Sequence, residues 1–269
     1  MIKRIFRIYK EESLKGITRR LIIRFWLIKF TIWKFFNRQI VNSYYGVKLN
    51  ANYEDATFKF YVTGVYGDDY WKHITNKMQP FMFLDIGANQ GLYTLCASAN
   101  KNCIACFSFE PVTKTFALLK KNVMVNDYSA KCHLINKAIT NKSGFYDISK
   151  KANHSGVATL HPENNLITEA NNNIETIEAI SYIELENLIK NNNKIALIVK
   201  IDVEGSEMNV IKELLKSQLA KEIIEIYFEV NERWVNYNDI EILLKSNGYK
   251  FFSKTSIDTK HYDVYASKQ

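Results

Sequence analysis

Three short apolar runs, each with an acidic residue at its end or one place before it, constrain this chain most: FMFLDI at 81–86, IACFSFE at 104–110 and KIALIVKID at 194–202. Each has the length of a strand, is apolar at successive positions, and is followed by a segment with helical spacing. HLINKAI (133–139) reads as a third strand and KEIIEIYFEV (221–230) as a fifth, with YKFFSK and HYDVYAS as two last strands. Helices are expected over 91–99, 113–126, 206–219 and 238–248, the last closed by Gly248. Repeated strand–helix units of this length predict an α/β fold: a mostly parallel sheet with helices on both faces. GFYDIS (144–149) and SGVATL (155–160) break the pattern as a hairpin, and the Asn-rich stretches 164–165, 171–173 and 191–193 read as loops.

The 269 residues, 47% hydrophobic with 10 Gly and 3 Pro, exclude collagen-like and low-complexity classes. The net charge of +8 suggests a nucleic-acid partner until it is divided along the chain. Eleven of the 36 Lys and Arg, and two of the 28 Asp and Glu, fall in residues 1–40, so that segment carries +9 and the remainder −1. No basic patch continues into the body, and nucleic acid is not expected as a partner.

The domain expectation is a basic aromatic helical arm over 1–45, a helical and strand cap over 46–80, and one α/β domain over 81–269. In the cap, Gly64 and Gly67 mark turns, and Asp68 caps a short helix through His73. In the arm, Arg24, Lys29 and Lys34 interrupt every apolar run short of a membrane span, and no cleavable signal pattern follows. A helical projection gathers Arg20, Arg24, Lys34 and Arg38 on one side with Lys29 opposite, while Ile22, Trp26, Phe30 and Trp33 fill much of the rest. Two readings follow. In one, the arm over residues 1–40 lies on an anionic membrane surface; in the other, its aromatics pack on the body or on a second subunit of a homodimer. The thiols Cys96, Cys103, Cys106 and Cys132 have no second pair to answer Cys103-x-x-Cys106. They are expected to be buried and reduced in a cytoplasmic protein.

In sheets of this kind ligands bind at the carboxyl ends of the strands, where strand order reverses. The first strand end reads Asp85-Ile-Gly87-Ala88-Asn89-Gln-Gly91, an acid-x-G-x-x-x-G turn lacking the dinucleotide G-x-G-x-x-G. Its glycines admit close backbone approach, and Asn89 tolerates a left-handed backbone. The second is Phe109-Glu110-Pro111, nineteen residues after Gly91, with Glu110 placed to accept hydrogen bonds from ribose hydroxyls. The third, Lys200-Ile-Asp202-Val-Glu204-Gly205-Ser206-Glu207, ends a strand with more acids than a helix cap needs; Ser206 is expected to cap.

FLDIGANQG, SFEP, NKAIT and KIDVEGSE, in this order over residues 80–230, resemble the FkbM family of S-adenosylmethionine-dependent methyltransferases. The resemblance implies a Rossmann-like class I sheet of seven strands, the seventh antiparallel. It also implies O-methylation of a sugar hydroxyl in a glycan, such as a capsule or lipopolysaccharide, in its lipid-linked precursor, or in a natural product. Carried over, Asp85, Gly87, Ala88, Asn89 and Gly91 line the methionine end of the cofactor. Glu110 and Pro111 lie at the ribose, Lys137 and Ala138 border the adenine, and Asp202 and Glu204 face the methyl.

A sugar hydroxyl is a weak acid, so a base or a metal is expected beside it. Asp202 is the expected base, with Glu204 assisting; a divalent ion on Asp202, Glu229 and Asn231 is the alternative. His154 and His161 lie where either could reach the site, whereas His73, His133 and His261 show no companions in sequence. A scaffold that keeps the cofactor fold without catalysis is a reading of a different class. An enzyme docked peripherally on the inner face of a membrane would unite the arm with a surface-glycan acceptor.

Overall fold

The computed structural model describes residues 14–66, 70–160, 172–254 and 260–268. The chain divides into two compact units, residues 1–67 and 68–269.

In the first unit, α1 (Leu14–Phe35) contains no proline and is followed by a strand pair, β1 (Ile40–Asn42) and β2 (Lys48–Asn50), and by α2 (Ala56–Thr63). The Asp55 carboxylate caps α2 by accepting from the Phe58 N–H at 3.0 Å. Phe30 of α1 is buried against Tyr53 and Phe58, with ring centroids 5.6 and 6.0 Å away, and Trp26 meets Tyr44 edge-on. Phe30 and Trp26 of α1 thus pack within their own unit. Because α1 ends at Phe35 and Asn37 turns the chain with φ +46°, Arg38 leaves the basic side projected for it; its Nε donates to the Ile40 carbonyl at 3.1 Å.

The second unit begins with α3 (Tyr70–Thr75), then alternates β3 (Phe81–Ile86), α4 (Leu92–Ala99), β4 (Cys103–Phe109), α5 (Thr113–Val125) and β5 (Cys132–Ile135). After an insertion the alternation resumes with α6 (Tyr182–Leu188), β10 (Ala196–Ile201), α7 (Glu207–Lys216), β11 (Ile223–Asn231), α8 (Tyr237–Ser246), β12 (Phe251–Lys254) and β13 (His261–Ser267). The large sheet has the order β12-β13-β11-β10-β3-β4-β5. Strands β3, β4, β5, β10 and β11 are mutually parallel, and β13 runs antiparallel to both β11 and β12. This is the expected seven-stranded class I arrangement. All six residues of β3 are buried, which explains the apolar run Phe81–Leu84; Asp85 is buried with them. The chain builds outward from β3 through β4 to β5, then returns to β10 on the other side, so the reversal of strand order lies between β3 and β10.

The insertion departs from expectation. HLINKAI is not one strand: β5 stops at Ile135, where the Asn136 amide donates to the carbonyls of Glu110 and Pro111 at 2.8 and 2.9 Å. Ala138–Ile139 (β6) then opens a second sheet of order β6-β9-β7-β8, with β7 Gly144–Lys151, β8 His154–Thr159 and β9 Asn172–Ile180. The expected hairpin is β7–β8; β9 was unforeseen and begins where an Asn-rich loop was expected. Its inward positions are Glu175, Ile177 and Ala179, so a charged residue breaks the apolar alternation. Glu175 accepts from the Thr113 N–H at 2.9 Å and pairs with Lys150, which satisfies the carboxylate inside the fold.

All four cysteines are free thiols, Cys132 half-buried and the others buried. Asp68, His161 and the loop at 164–165 lie outside the described residues. Among the described residues no helix is long and apolar enough to cross a membrane.

Candidate active site

The loop after β3 is held by its neighbours on both sides. The N–H groups of Gly87 and Ala88 both donate to the Phe109 carbonyl, at 3.0 and 2.9 Å. Gly87 has φ +76°, and a Cβ there would fall 1.8 Å from the carbonyl oxygen of Asp202. Asn89 adopts φ +51°, the left-handed conformation its short polar side chain tolerates. Its Oδ1 accepts from the Gln90 N–H and from the Ser155 hydroxyl of β8, each at 2.8 Å. Asp85 is fully buried, and its Oδ2 accepts from the N–H and hydroxyl of Thr94 at 2.8 and 2.6 Å. Burial raises its pKa, against the Lys200 charge and the Thr94 bonds. Its Oδ1 is buried with no hydrogen-bond partner.

At the end of β4, Glu110 is locked by two backbone donors: Asn89 N–H to Oε2 and Val112 N–H to Oε1, both at 2.9 Å. Burial pushes its pKa up to about 7 in spite of those bonds. The carboxylate therefore faces the loop after β3 with a fixed orientation.

The third strand end splits its acids between two jobs. Glu207 turns back on its own loop, accepting from the N–H of Val203 at 3.2 Å and of Gly205 at 3.1 and 3.2 Å. Burial and the nearby Glu229 push it up to about 7. Ser206 occupies the N-cap position but makes no side-chain cap, contrary to expectation; its ψ of 10° is not the extended geometry a capping serine uses. Asp202 and Glu204 instead face the cavity. Asp202 Oδ2 lies 3.0 Å from Lys200 Nζ, which also donates to the Gly87 carbonyl at 3.3 Å. Burial disfavours the Lys200 charge, yet Asp202 and Asp85 hold its pKa above the ordinary lysine value. Glu204 sits at φ +50°, a conformation that costs a residue with a side chain on the order of 1–2 kcal/mol and clusters at functional positions. Burial, with Glu229 and Asp202 close by, pushes Glu204 up to about 10.

Glu229 arrives from β11. Burial and Asp202 raise its pKa, opposed by His261 of β13, whose Nε2 is 2.7 Å from Glu229 Oε1. That bond pushes His261 up to about 9 against its partial burial. His261 thus has a companion that sequence spacing did not reveal: 32 positions separate it from Glu229, and only the antiparallel β11–β13 pairing brings the two strands together.

These strand ends line one cavity, partly open to solvent. Gly87, Asn89, Glu110, Pro111, Lys137, Ala138, Asp202 and Glu204 all border it. Asp85, Ala88 and Gly91 do not; they shape the loop from behind, Gly91 at φ +94° leading α4 against Leu119. The opposite wall was not anticipated: Ile148, Ser155, Gly156, Ala158 and Leu160 come from or adjoin the second sheet, which covers the cavity. His154 begins β8 and is not among the lining residues. Asp202, Glu204 and Glu229 each offer an oxygen within 4.8 Å of the others, a set that could hold a metal ion. Asn231, the other expected ligand, has its Oδ1 engaged by the Arg233 N–H at 3.2 Å.

A second hollow lies past the end of β11, bordered by Arg233, Trp234, Tyr237 and Lys254 among others. Trp234 also packs at 3.4–3.6 Å from where a Cβ of Gly205 would stand, so its ring joins this hollow to the loop that carries Glu204.

Comparison with known proteins gives one family model, the Methyltransferase FkbM domain, which matches residues 85–251. No curated protein matches the chain. The structure of methyltransferase FkbM from Methylobacillus flagellatus KT is 12% identical with a TM-score of 0.50, over 81% of this chain and 56% of that one. Sp1610 of Streptococcus pneumoniae is 12% identical with a TM-score of 0.46, over 75% and 70%. TrmK of M. capricolum, solved with S-adenosyl-homocysteine, is 14% identical with a TM-score of 0.43, over 75% and 69%. At 12% identity the likeness to the FkbM structure is one of fold, and the chain spans little more than half of that structure's length. The family model itself covers well over half of the 269 residues, and the chain belongs to the FkbM methyltransferase-domain family.

Proposed function

We propose that the protein transfers the methyl group of S-adenosylmethionine to a sugar hydroxyl of a cell-surface glycan or its lipid-linked precursor. The observation that carries this reading is the group of three carboxylates at the cavity, Asp202, Glu204 and Glu229, with Lys200 and His261 as built-in countercharges. The cavity suits the cofactor: Gly87 and Asn89 border it with the loop after β3, and Glu110 presents a fixed carboxylate for ribose hydroxyls. Lys137 and Ala138 border the same space on the adenine side of this placement. Bound there, S-adenosylmethionine supplies an electrophilic methyl carbon on a positively charged sulfur.

The chain's own residues then have two tasks, alignment and proton transfer. Asp202, steadied by Lys200, would take the proton of the acceptor hydroxyl as that hydroxyl is methylated. Glu204, which keeps its proton at neutral pH, donates a hydrogen bond that orients the acceptor. The hollow beside Trp234 supports a sugar as acceptor, because an aromatic ring face and flanking polar groups suit the apolar faces and hydroxyls of a pyranose.

Calorimetric titration with S-adenosylmethionine, followed by mass spectrometry of surface glycans from cells with and without the gene, tests the reading. A glycan lighter by one CH₂ in the deletion supports it. Cofactor binding with a methylated small molecule in place of a glycan would indicate a natural-product acceptor. Binding with no methylated product in any fraction would leave a scaffold.

A further inference from the structure

We propose that the outward face of α1 is a docking surface for anionic lipid. On a helix turning 100° per residue, Leu21, Phe25, Ile28, Ile32 and Phe35 fall within an arc of about 80°. They are 59%, 57%, 61%, 48% and 82% exposed. This is not the face that packs: Phe30, on the opposite side, is 7% exposed against Tyr53 and Phe58, and Trp26 lies on Tyr44. The arm therefore has two apolar faces, one spent on its own unit and a second turned to solvent, so the packing of its tryptophans does not exhaust its surface.

Charge selects the occupant of the second face. Between Leu14 and Phe35 there are six Lys and Arg and no Asp or Glu. Arg24 and Lys29 flank the exposed arc on its two sides, and the Lys29 ammonium rests 4.2 Å from the Trp26 ring centroid and 4.9 Å from that of Trp33, on the ledge between the two faces. An apolar stripe bordered by cations matches a surface whose headgroups are anionic and whose interior is hydrocarbon. The 4-3-4-3 spacing of the stripe would also serve as a helix–helix seam with a second copy. Such a pairing would bring two wholly cationic helices together with no acid on either to answer them. The lipid surface answers both features at once.

The test is flotation of the full-length protein with phosphatidylcholine vesicles, with and without phosphatidylglycerol, at low and high salt. The wild type is expected to float with the phosphatidylglycerol vesicles at low salt and to lose most of that binding in phosphatidylcholine alone or at high salt. Replacing the three outward residues (Phe25→Ser, Ile28→Ser, Ile32→Ser) should abolish flotation while leaving thermal unfolding and circular dichroism unchanged, since none of the three is buried. Arg24→Glu should weaken flotation with the apolar stripe intact. Unchanged flotation of the triple variant overturns the proposal. So does a wild type that ignores lipid and is a dimer by light scattering, which the triple variant turns into a monomer; the stripe would then be a subunit seam.

Discussion

Gly87 and Asp202 meet so closely that the hydrogen of one stands where a methyl would lie 1.8 Å from the carbonyl oxygen of the other. Two loops, from strands 113 residues apart in the chain by their Lys200–Gly87 contact, are fitted together at this point. The opposing atom is backbone, so no rotamer change relieves the clash, and φ +76° adds its own strain. Gly87→Ala is expected to destabilise the protein by about 3 kcal/mol and to lose S-adenosylmethionine binding. Differential scanning calorimetry and titration calorimetry check the two effects separately.

Asp202→Asn preserves shape while removing the proton acceptor. Turnover should fall by roughly 10²–10⁴-fold with cofactor affinity nearly unchanged. S-adenosyl-homocysteine release measures the first quantity and calorimetry the second; near-normal turnover would remove Asp202 from the base role.

The bond between His261 and Glu229 makes a prediction about the alkaline side of the pH profile. His261 stays cationic until about pH 9, so Glu229 keeps its countercharge below that pH and loses it above. Activity should decline as pH rises through about 9 in the wild type. His261→Gln should sit near the high-pH level throughout and lack that limb. A profile of the same shape in both proteins would show that the pair is only structural.

Stability should move with pH in a direction set by Glu110 and Glu207, both buried and both pushed up to about 7 from 4.5. A raised carboxyl pKa means the folded state holds the proton more tightly than the unfolded chain. Stability is therefore greatest, as far as these groups go, below about pH 4.5 and is lost as pH rises toward 7. Glu207→Gln removes one of the two titrations and should flatten the change by up to about 3 kcal/mol. Urea unfolding at several pH values reads the slope.

Lys200 and His261 already supply two positive charges to the three carboxylates, and Glu204 keeps its own proton. Asp202 and Glu229 each have a cationic partner in the structure, so activity is expected to survive prolonged treatment with EDTA. A large loss restored by magnesium would instead assign Asp202, Glu204 and Glu229 as ligands.

The parts of this molecule that were legible in its sequence share a cause. Apolar runs such as FMFLDI declare themselves because a strand buried on both faces has no solvent-facing side to blur it. The strand-end acids were visible because Asp202 and Glu204 have no place in a helix cap. Residues brought in by pairing were not: His261 meets Glu229 only through the antiparallel register of β11 and β13. The covering sheet was hidden for a different reason. Its strand β9 puts Glu175 inward and satisfies it with Thr113 and Lys150, so an internal polar network erased the two-residue rhythm that betrays a strand. In α1 the aromatic content was plain, but which aromatics turn inward depended on the neighbours at Tyr44, Tyr53 and Phe58.

Asn136 and Lys137 are all that separates the last strand of one sheet from the first strand of the other. The cavity floor and its cover are thus pages bound at one spine, and an occupant lies in the gutter between them. The Asn136 bonds to Glu110 and Pro111 and the Lys137–Glu178 ion pair at 2.6 Å fasten cover to floor along that spine.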